Sequence, residues 1–116
     1  MQNLRYVGNN LFVEKLSIKN ILKKNKTPFY IYSESQIAFN FLKFANTFKK
    51  TDPLICFAAK SNSNLNILRV LGKLGAGADV VSGGELLKAL KAGIRPNKIV
   101  FSGVGKTEEE LKIAIK

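Results

Sequence analysis

A single lysine stands where an apolar segment meets a polar one. Lys60 follows the apolar run LICFAA and is followed at once by SNSN. A lysine held in a partly apolar pocket has a lowered pKa, and its unprotonated amine can attack a carbonyl group to form a Schiff base. The alternative is a strand-end lysine whose stem packs on apolar neighbours while its ammonium group reaches water. Residue type and position leave both interpretations open.

Two acids downstream of this lysine are further candidates. Asp79 lies within the short apolar segment ADVV, an unusual place for a carboxylate without a partner. Glu85 lies three residues after Ser82, which is the spacing of a capping box, so a structural role competes with a functional one. Cys56 is expected to pack in the core. No metal site is predicted from a chain with one cysteine and no histidine.

The elements that must position these residues alternate between strands and helices. Three apolar runs predict buried strands, and each is followed by a segment with helical features. The predicted strands are 54–59, 78–81 and 98–103, and the predicted helices are about 64–74, 83–92 and 107 onward. Gly93 is the expected stop of the second helix, and Thr107 with Glu110 has the spacing of a capping box at the start of the third. This alternation indicates βαβ units in a parallel sheet. Because AKSNSN is not the glycine-rich turn of a dinucleotide fold, we favour a (β/α)8 barrel of TIM type over a doubly wound sheet.

The chain before this alternation has fewer clear signals. Residues 27–33, TPFYIYS, are predicted as a strand because aromatic and β-branched residues follow a proline. Ser33 with Gln36 has the spacing of a capping box, and apolar residues then recur at helical spacing as far as Pro53. Residues 1–26 are uncertain, with room for a short strand and a short helix.

Length and topology together predict that the chain is part of something larger. A closed barrel takes roughly 250 residues, whereas this chain has 116. About three βα units are present, and three strands cannot close a barrel. We therefore expect an N-terminal segment, 1–26, followed by the N-terminal part of an incomplete barrel domain, 27–116.

The strong positive charge is not organised as a binding surface. The formal net charge is +11, but 16 of the 19 basic residues are lysines that are spread along the chain. Neither nucleic acid nor membrane is therefore predicted as a partner. No apolar run approaches the roughly 20 residues that cross a bilayer, and MQNLRYVGNNLF lacks the organisation of a signal peptide. The expected compartment is the reducing cytoplasm.

Three sequence blocks, in this order, resemble those of a known enzyme family. FAAKSNSN, GADVVSGGEL and KIVFSGVGKT are similar to blocks of the diaminopimelate decarboxylases, which belong to the alanine-racemase-like barrel group of pyridoxal-phosphate enzymes. The resemblance is strong from TPFYIYSES to the end of the chain and weak before residue 27. Phe57 and Ala59 depart from the family's tyrosine-alanine-valine-lysine block.

The resemblance implies a cofactor, a reaction and a set of site residues. The cofactor is pyridoxal 5'-phosphate, and the reaction converts the amino acid meso-2,6-diaminopimelate to L-lysine and CO2. Lys60 is then the catalytic lysine that binds the cofactor aldehyde, Asp79 lies near it and can pair with it, and Glu85 is a further cofactor-binding acid. A homodimer is expected for the full-length enzyme. The family's ring-stacking histidine and glycine-rich phosphate loop are absent from these residues, so the fragment alone is predicted to be inactive.

Three alternatives remain. The first is a sister decarboxylase of the same barrel group that acts on ornithine, arginine or carboxynorspermidine. The second is a non-catalytic protein that carries the cofactor. The third is a basic nucleic-acid-binding module, whose affinity would fall steeply with salt.

Overall fold

A small antiparallel meander begins the fold. The computed structural model describes residues 3–116. Strands β1 (Leu4–Val7), β2 (Asn10–Val13) and β3 (Leu16–Ser17) pair in that order, and helix α1 (Ile18–Leu22) follows directly. This region, for which the sequence left the structure uncertain, holds three short strands and one short helix.

A long helix follows the meander and is tied to it by one carboxylate. Helix α2 (Glu34–Phe48) begins at Ser33, whose hydroxyl accepts from the Gln36 N–H at 3.1 Å, so the predicted cap is confirmed. The Glu14 carboxylate accepts from the Ser33 hydroxyl at 2.6 Å and from the Ser35 N–H at 3.1 Å. These hydrogen bonds favour the charged form and lower the pKa of Glu14.

The predicted strand at residues 27–33 is wrong. This segment belongs to no helix or sheet among the described residues. Tyr30 and Tyr32 are exposed, at 89% and 55%, and contact each other with ring centroids 6.5 Å apart. Aromatic and β-branched residues favour strands because they pack well on a half-buried pleated surface. Without a neighbouring strand to pair with, this propensity alone does not form a strand.

The rest of the chain forms three βα units around a parallel sheet. The elements are β4 (Cys56–Ala58), α3 (Leu65–Lys73), β5 (Gly77–Val80), α4 (Gly83–Lys91), β6 (Ile99–Phe101) and α5 (Glu108–Ile115). The strands lie in the order β4-β5-β6 and are all parallel. Gly93, with φ +89°, follows α4 and confirms the predicted glycine stop. The predicted order of strands and helices is thus confirmed. Strands β4 and β6 are each three residues shorter than the predicted segments, whereas β5 has the predicted length and begins one residue earlier.

The two faces of this sheet have different surroundings. One face packs against the helices around a core centred on Leu68 and Val80, the two largest fully buried side chains. Because side chains alternate along a strand, the residues between these core positions lie on the opposite face. That face carries Cys56, Ala58, Gly77, Asp79 and Val100. It includes Asp79, the only acid in the parallel strands.

Candidate functional site

The candidate site lies where the three parallel strands end. Parallel strands bring their carboxyl ends to one edge of the sheet, so the segments after β4, β5 and β6 become neighbours. Lys60 follows β4, Asp79 lies near the end of β5, and Ser102 follows β6 directly. The register places Ala58 beside Asp79 and Asp79 beside Val100.

Lys60 lies in a tight turn and not in the strand. The strand ends at Ala58, and residues Ala59–Ser61 form one turn of 3-10 helix, so the alternation of side chains along the strand does not extend to Lys60. The Ser61 hydroxyl donates to the Ala58 carbonyl at 2.7 Å, and the Asn62 N–H donates to the Ala59 carbonyl at 3.1 Å.

The turn anchors the lysine's backbone and leaves its side chain free. Ala59 is fully buried in the core on the helix side, whereas Lys60 is exposed. Among residues 3–116 the Lys60 amine has neither a hydrogen bond nor an ion pair, the one ion pair there being Lys112 with Glu108. An exposed lysine without a partner among the described residues therefore lies at the carboxyl end of a parallel strand.

Asp79 is hydrogen-bonded to Ser102, which no local sequence pattern indicates. Its Oδ1 accepts a hydrogen bond from the Ser102 hydroxyl at 2.5 Å. Asp79 and Lys60 form no ion pair in this structure, so the pairing that the resemblance implies is not observed. The parallel register of β5 with β6 explains this contact, because it places residue 102 on the same sheet face as residue 79.

Glu85 contacts the backbone at the start of α4. Its Oε2 accepts from the Val81 N–H at 2.9 Å, and the Ser82 hydroxyl accepts from the Glu85 N–H at 3.2 Å. The predicted serine cap is therefore present, but the carboxylate reaches the residue before the cap. These contacts give Glu85 the structural role that competed with cofactor binding, and its functional role remains a prediction.

Glu110 joins two helix N-termini. It forms the predicted capping box with Thr107, and its Oε1 also accepts from the Gly83 N–H of α4 at 2.7 Å. The Gly83 bond, followed by that from Thr107, lowers the pKa of Glu110. The capping spacing identified the first contact, whereas no local pattern indicates the second, which spans 27 residues.

The loops after β5 and β6 approach each other backbone to backbone. A Cβ added at Gly103 would lie 2.6 Å from the Val81 carbonyl oxygen, so this position has no room for a side chain. The Lys106 amine donates to the Gly103 carbonyl and lies 5.4 Å from the centroid of the Phe101 ring. These contacts fix the loop that carries Ser102.

The residues present fit one part of a cofactor and not another. An aldehyde group can be held by the free amine of Lys60. The N-terminus of α4, which would otherwise suit a phosphate group, already binds the carboxylates of Glu85 and Glu110. An apolar cavity of about 430 Å³ between α2, α3 and β4 is lined by neither Lys60 nor Asp79.

Comparison with known proteins decides the family. Residues 34–116 match the pyridoxal-binding domain of the pyridoxal-dependent decarboxylases. The chain belongs to the pyridoxal-dependent decarboxylase family. This match confirms pyridoxal phosphate as the predicted cofactor. The helices of residues 3–116 are too short or too polar to cross a lipid bilayer.

Relatives and solved structures agree with this assignment. The diaminopimelate decarboxylase of Pseudomonas fluorescens is 46% identical over 116 residues, which are the whole of this chain and 28% of the relative. A crystal structure of an Aquifex aeolicus protein superposes with a TM-score of 0.91 at 48% identity, covering 97% of this chain and 28% of that one. The diaminopimelate decarboxylase of Helicobacter pylori, solved in complex with L-lysine, gives a TM-score of 0.80 at 49% identity over 84% of this chain and 25% of its own.

These comparisons confirm the resemblance and the α/β fold with parallel βαβ units. The chain spans about 28% of the length of the relatives that it matches. The roles of Lys60, Asp79 and Glu85 remain predictions.

Proposed function

We propose that this chain is the N-terminal part of a pyridoxal-phosphate-dependent decarboxylase that converts meso-2,6-diaminopimelate to L-lysine and CO2. The observation that carries this proposal is the free amine of Lys60, which lies at the carboxyl end of a parallel strand in a chain of this family. The names of the most similar relatives support diaminopimelate as the substrate.

Lys60 would both hold the cofactor and transfer protons. Its Nζ would hold the aldehyde group of the cofactor, and the buried neighbour Ala59 keeps the lysine backbone in place while the side chain is exposed. When bound, pyridoxal phosphate supplies an electron sink for the loss of CO2. The Lys60 amine would also be the group of this chain that returns a proton to the substrate carbon.

Asp79 and Glu85 would act at different distances from the chemistry. Asp79, held by Ser102, offers Oδ2 to a cation at the sheet edge, either the Lys60 ammonium or a protonated group of the cofactor. Glu85 fixes the backbone at Val81 and so shapes the loop after β5. The phosphate group would need binding residues other than the N-terminus of α4.

Several finer predictions belong to this proposal. The chain would divide into the N-terminal segment 1–26 and part of the barrel domain, 27–116. The full-length enzyme would be a cytoplasmic homodimer that binds an amino-acid substrate. The matched family domain begins at residue 34, seven residues after the expected boundary, and is compatible with this division.

Borohydride reduction of the full-length holoenzyme tests the assignment of Lys60. Reduction should leave a stable pyridoxyl group on the peptide that contains Lys60, as measured by mass spectrometry after proteolysis. Lys60→Ala should remove the adduct, whereas Lys106→Ala, which changes another lysine at the same sheet edge, should retain it. An adduct on any other lysine of the wild-type enzyme refutes the assignment.

A CO2-release assay separates the proposed reaction from its alternatives. Turnover of meso-2,6-diaminopimelate, with little turnover of ornithine, arginine or carboxynorspermidine, is the expected result. A preference for one of those amines indicates the sister decarboxylase. A holoprotein with the borohydride adduct but no turnover of any of the four indicates the non-catalytic carrier.

A further inference from the structure

Ser102 is the residue of β6 and its following loop that reaches Asp79. Its hydroxyl donates to Asp79 Oδ1 at 2.5 Å, and it is the first residue beyond the strand. Asp79 Oδ2 accepts no hydrogen bond from any of residues 3–116, so the serine occupies one carboxylate oxygen and leaves the other free.

Contacts of the neighbouring backbone hold Ser102 in place. Its backbone N–H donates to the Val80 carbonyl at 2.9 Å and continues the β5–β6 ladder by one residue. The next residue, Gly103, lies so close to the Val81 backbone that a Cβ would be 2.6 Å from the carbonyl oxygen. The Lys106 amine closes the loop from the far side by donating to the Gly103 carbonyl. These contacts fix the backbone at Ser102, from which its hydroxyl reaches Asp79.

The geometry points to Ser102 as the positioning residue for Asp79, the residue that fixes the orientation of its carboxylate so that Oδ2 faces the cation of the bound cofactor or Lys60. This inference rests on the proposed function, because it requires that Asp79 acts at the cofactor site. Ser102 itself need not touch substrate or cofactor. A carboxylate that is hydrogen-bonded through one oxygen loses rotational freedom and keeps its second oxygen for a fixed partner.

An alternative role for the serine is purely structural, as a link between β5 and β6. The two strands are already joined by their backbone ladder, including the Ser102 N–H itself. Ser102 is exposed, so removal of its Oγ leaves no cavity. The structural role therefore predicts a small loss of stability and no change at the cofactor.

The test compares Ser102→Ala and Ser102→Thr in the full-length holoenzyme, with Asp79→Asn as the reference. The first readout is the pH titration of the bound cofactor's absorbance, and the second is the cofactor dissociation constant. Ser102→Ala should move the titration midpoint in the same direction as Asp79→Asn and lower kcat by about tenfold, the scale of one hydrogen bond to a charged group. Ser102→Thr keeps a hydroxyl and should behave as the wild type.

Two controls make the result specific. Ser63→Ala removes the hydroxyl of another serine that follows a strand of the same sheet, where it accepts from the Lys88 amine, and it should change neither readout. In the Asp79→Asn background, Ser102→Ala should have no further effect, because the carboxylate that it positions is gone.

Three results would overturn the inference. The first is a Ser102→Ala enzyme with wild-type titration and cofactor affinity, and the second is an equal effect of Ser102→Ala with or without Asp79. The third is an Asp79→Asn enzyme that titrates as the wild type. A protein that takes up no pyridoxal phosphate contradicts the proposed function instead. In that case the role of Ser102 is tested by crystal structures of the wild-type and Ser102→Ala apoproteins. If the Asp79 side chain has the same orientation in both, Ser102 does not position it.

Discussion

Replacement of Gly103 by alanine should damage the site through backbone displacement alone. The added Cβ would lie 2.6 Å from the Val81 carbonyl oxygen, 3.1 Å from the Val81 Cα and 3.2 Å from its carbonyl carbon. All three atoms belong to the backbone, so no side-chain rotation can relieve the contact. Ordinary van der Waals contact begins at 3.4 Å, and the two loops must therefore separate by about 0.8 Å.

This separation has a calculable effect on stability and on catalysis. Overpacking of this kind costs roughly 1–3 kcal/mol of the free energy of unfolding. The neighbouring Ser102 hydroxyl moves with Gly103, and its bond to Asp79 is stretched beyond the usual range of O–H···O hydrogen bonds. Because a misplacement of about 1 Å can reduce the rate a hundredfold, we expect kcat to fall between about tenfold and a hundredfold.

The assay uses the full-length holoenzyme and a control from the same loop. Thermal unfolding gives the stability, and CO2 release from meso-2,6-diaminopimelate gives kcat. Gly105→Ala is the matched control, because a Cβ at Gly105 meets nothing within 4 Å and should leave both quantities unchanged. A Gly103→Ala enzyme with wild-type stability and kcat would refute the argument that the two backbones set this contact.

Three further predictions concern the stability of the fold. The folded-state pKa of Glu110 lies below its unfolded value near 4.5, so its contribution to stability is complete above pH 4.5 and is lost as the pH falls through the lower pKa. Glu110→Gln should therefore weaken the fall of the thermal unfolding midpoint at acid pH, and an unchanged fall would contradict the role of the Gly83 contact. Leu68→Ala should cost about 2–5 kcal/mol in denaturant unfolding because Leu68 is fully buried, whereas Leu87→Ala, at a side chain 55% exposed, should cost much less; similar losses would place the core elsewhere. Residues 1–116 expressed alone should self-associate in sedimentation experiments, since β4 and β6 have unpaired edges in the described sheet; a monomer with a sharp unfolding transition would oppose this.

The order of the elements was predictable because each signal is local. Continuous apolar runs indicated the parallel strands, and Ser33, Ser82 and Thr107 each cap the helix that was expected to follow. The segment 27–33 misled for the same reason, since strand propensity is local but a strand requires a partner. Each parallel strand also ends one or two residues earlier than predicted, because an apolar residue such as Ala59 can be buried in a turn.

The sequence pattern singled out Lys60, Asp79 and Glu85 as candidates, but it indicated neither their contacts nor Ser102. Lys60 was singled out by its place after an apolar run, and the structure leaves its amine free. The partners of the acids were not predictable, because Ser102 with Asp79 and Gly83 with Glu110 are 23 and 27 residues apart in sequence. Such contacts depend on the register between strands that are distant in the sequence, and this register becomes known only from the folded structure.

The contact of Glu110 with Gly83 also has a consequence for synthesis of the chain on the ribosome. The N-terminus of α4 acquires this carboxylate only after 27 more residues have been made, which takes about 1–5 s at typical rates of translation. During that interval α4 can form its own serine cap but lacks the link to α5. The smallest segment that can complete these contacts as it emerges is therefore a pair of βα units and not a single one.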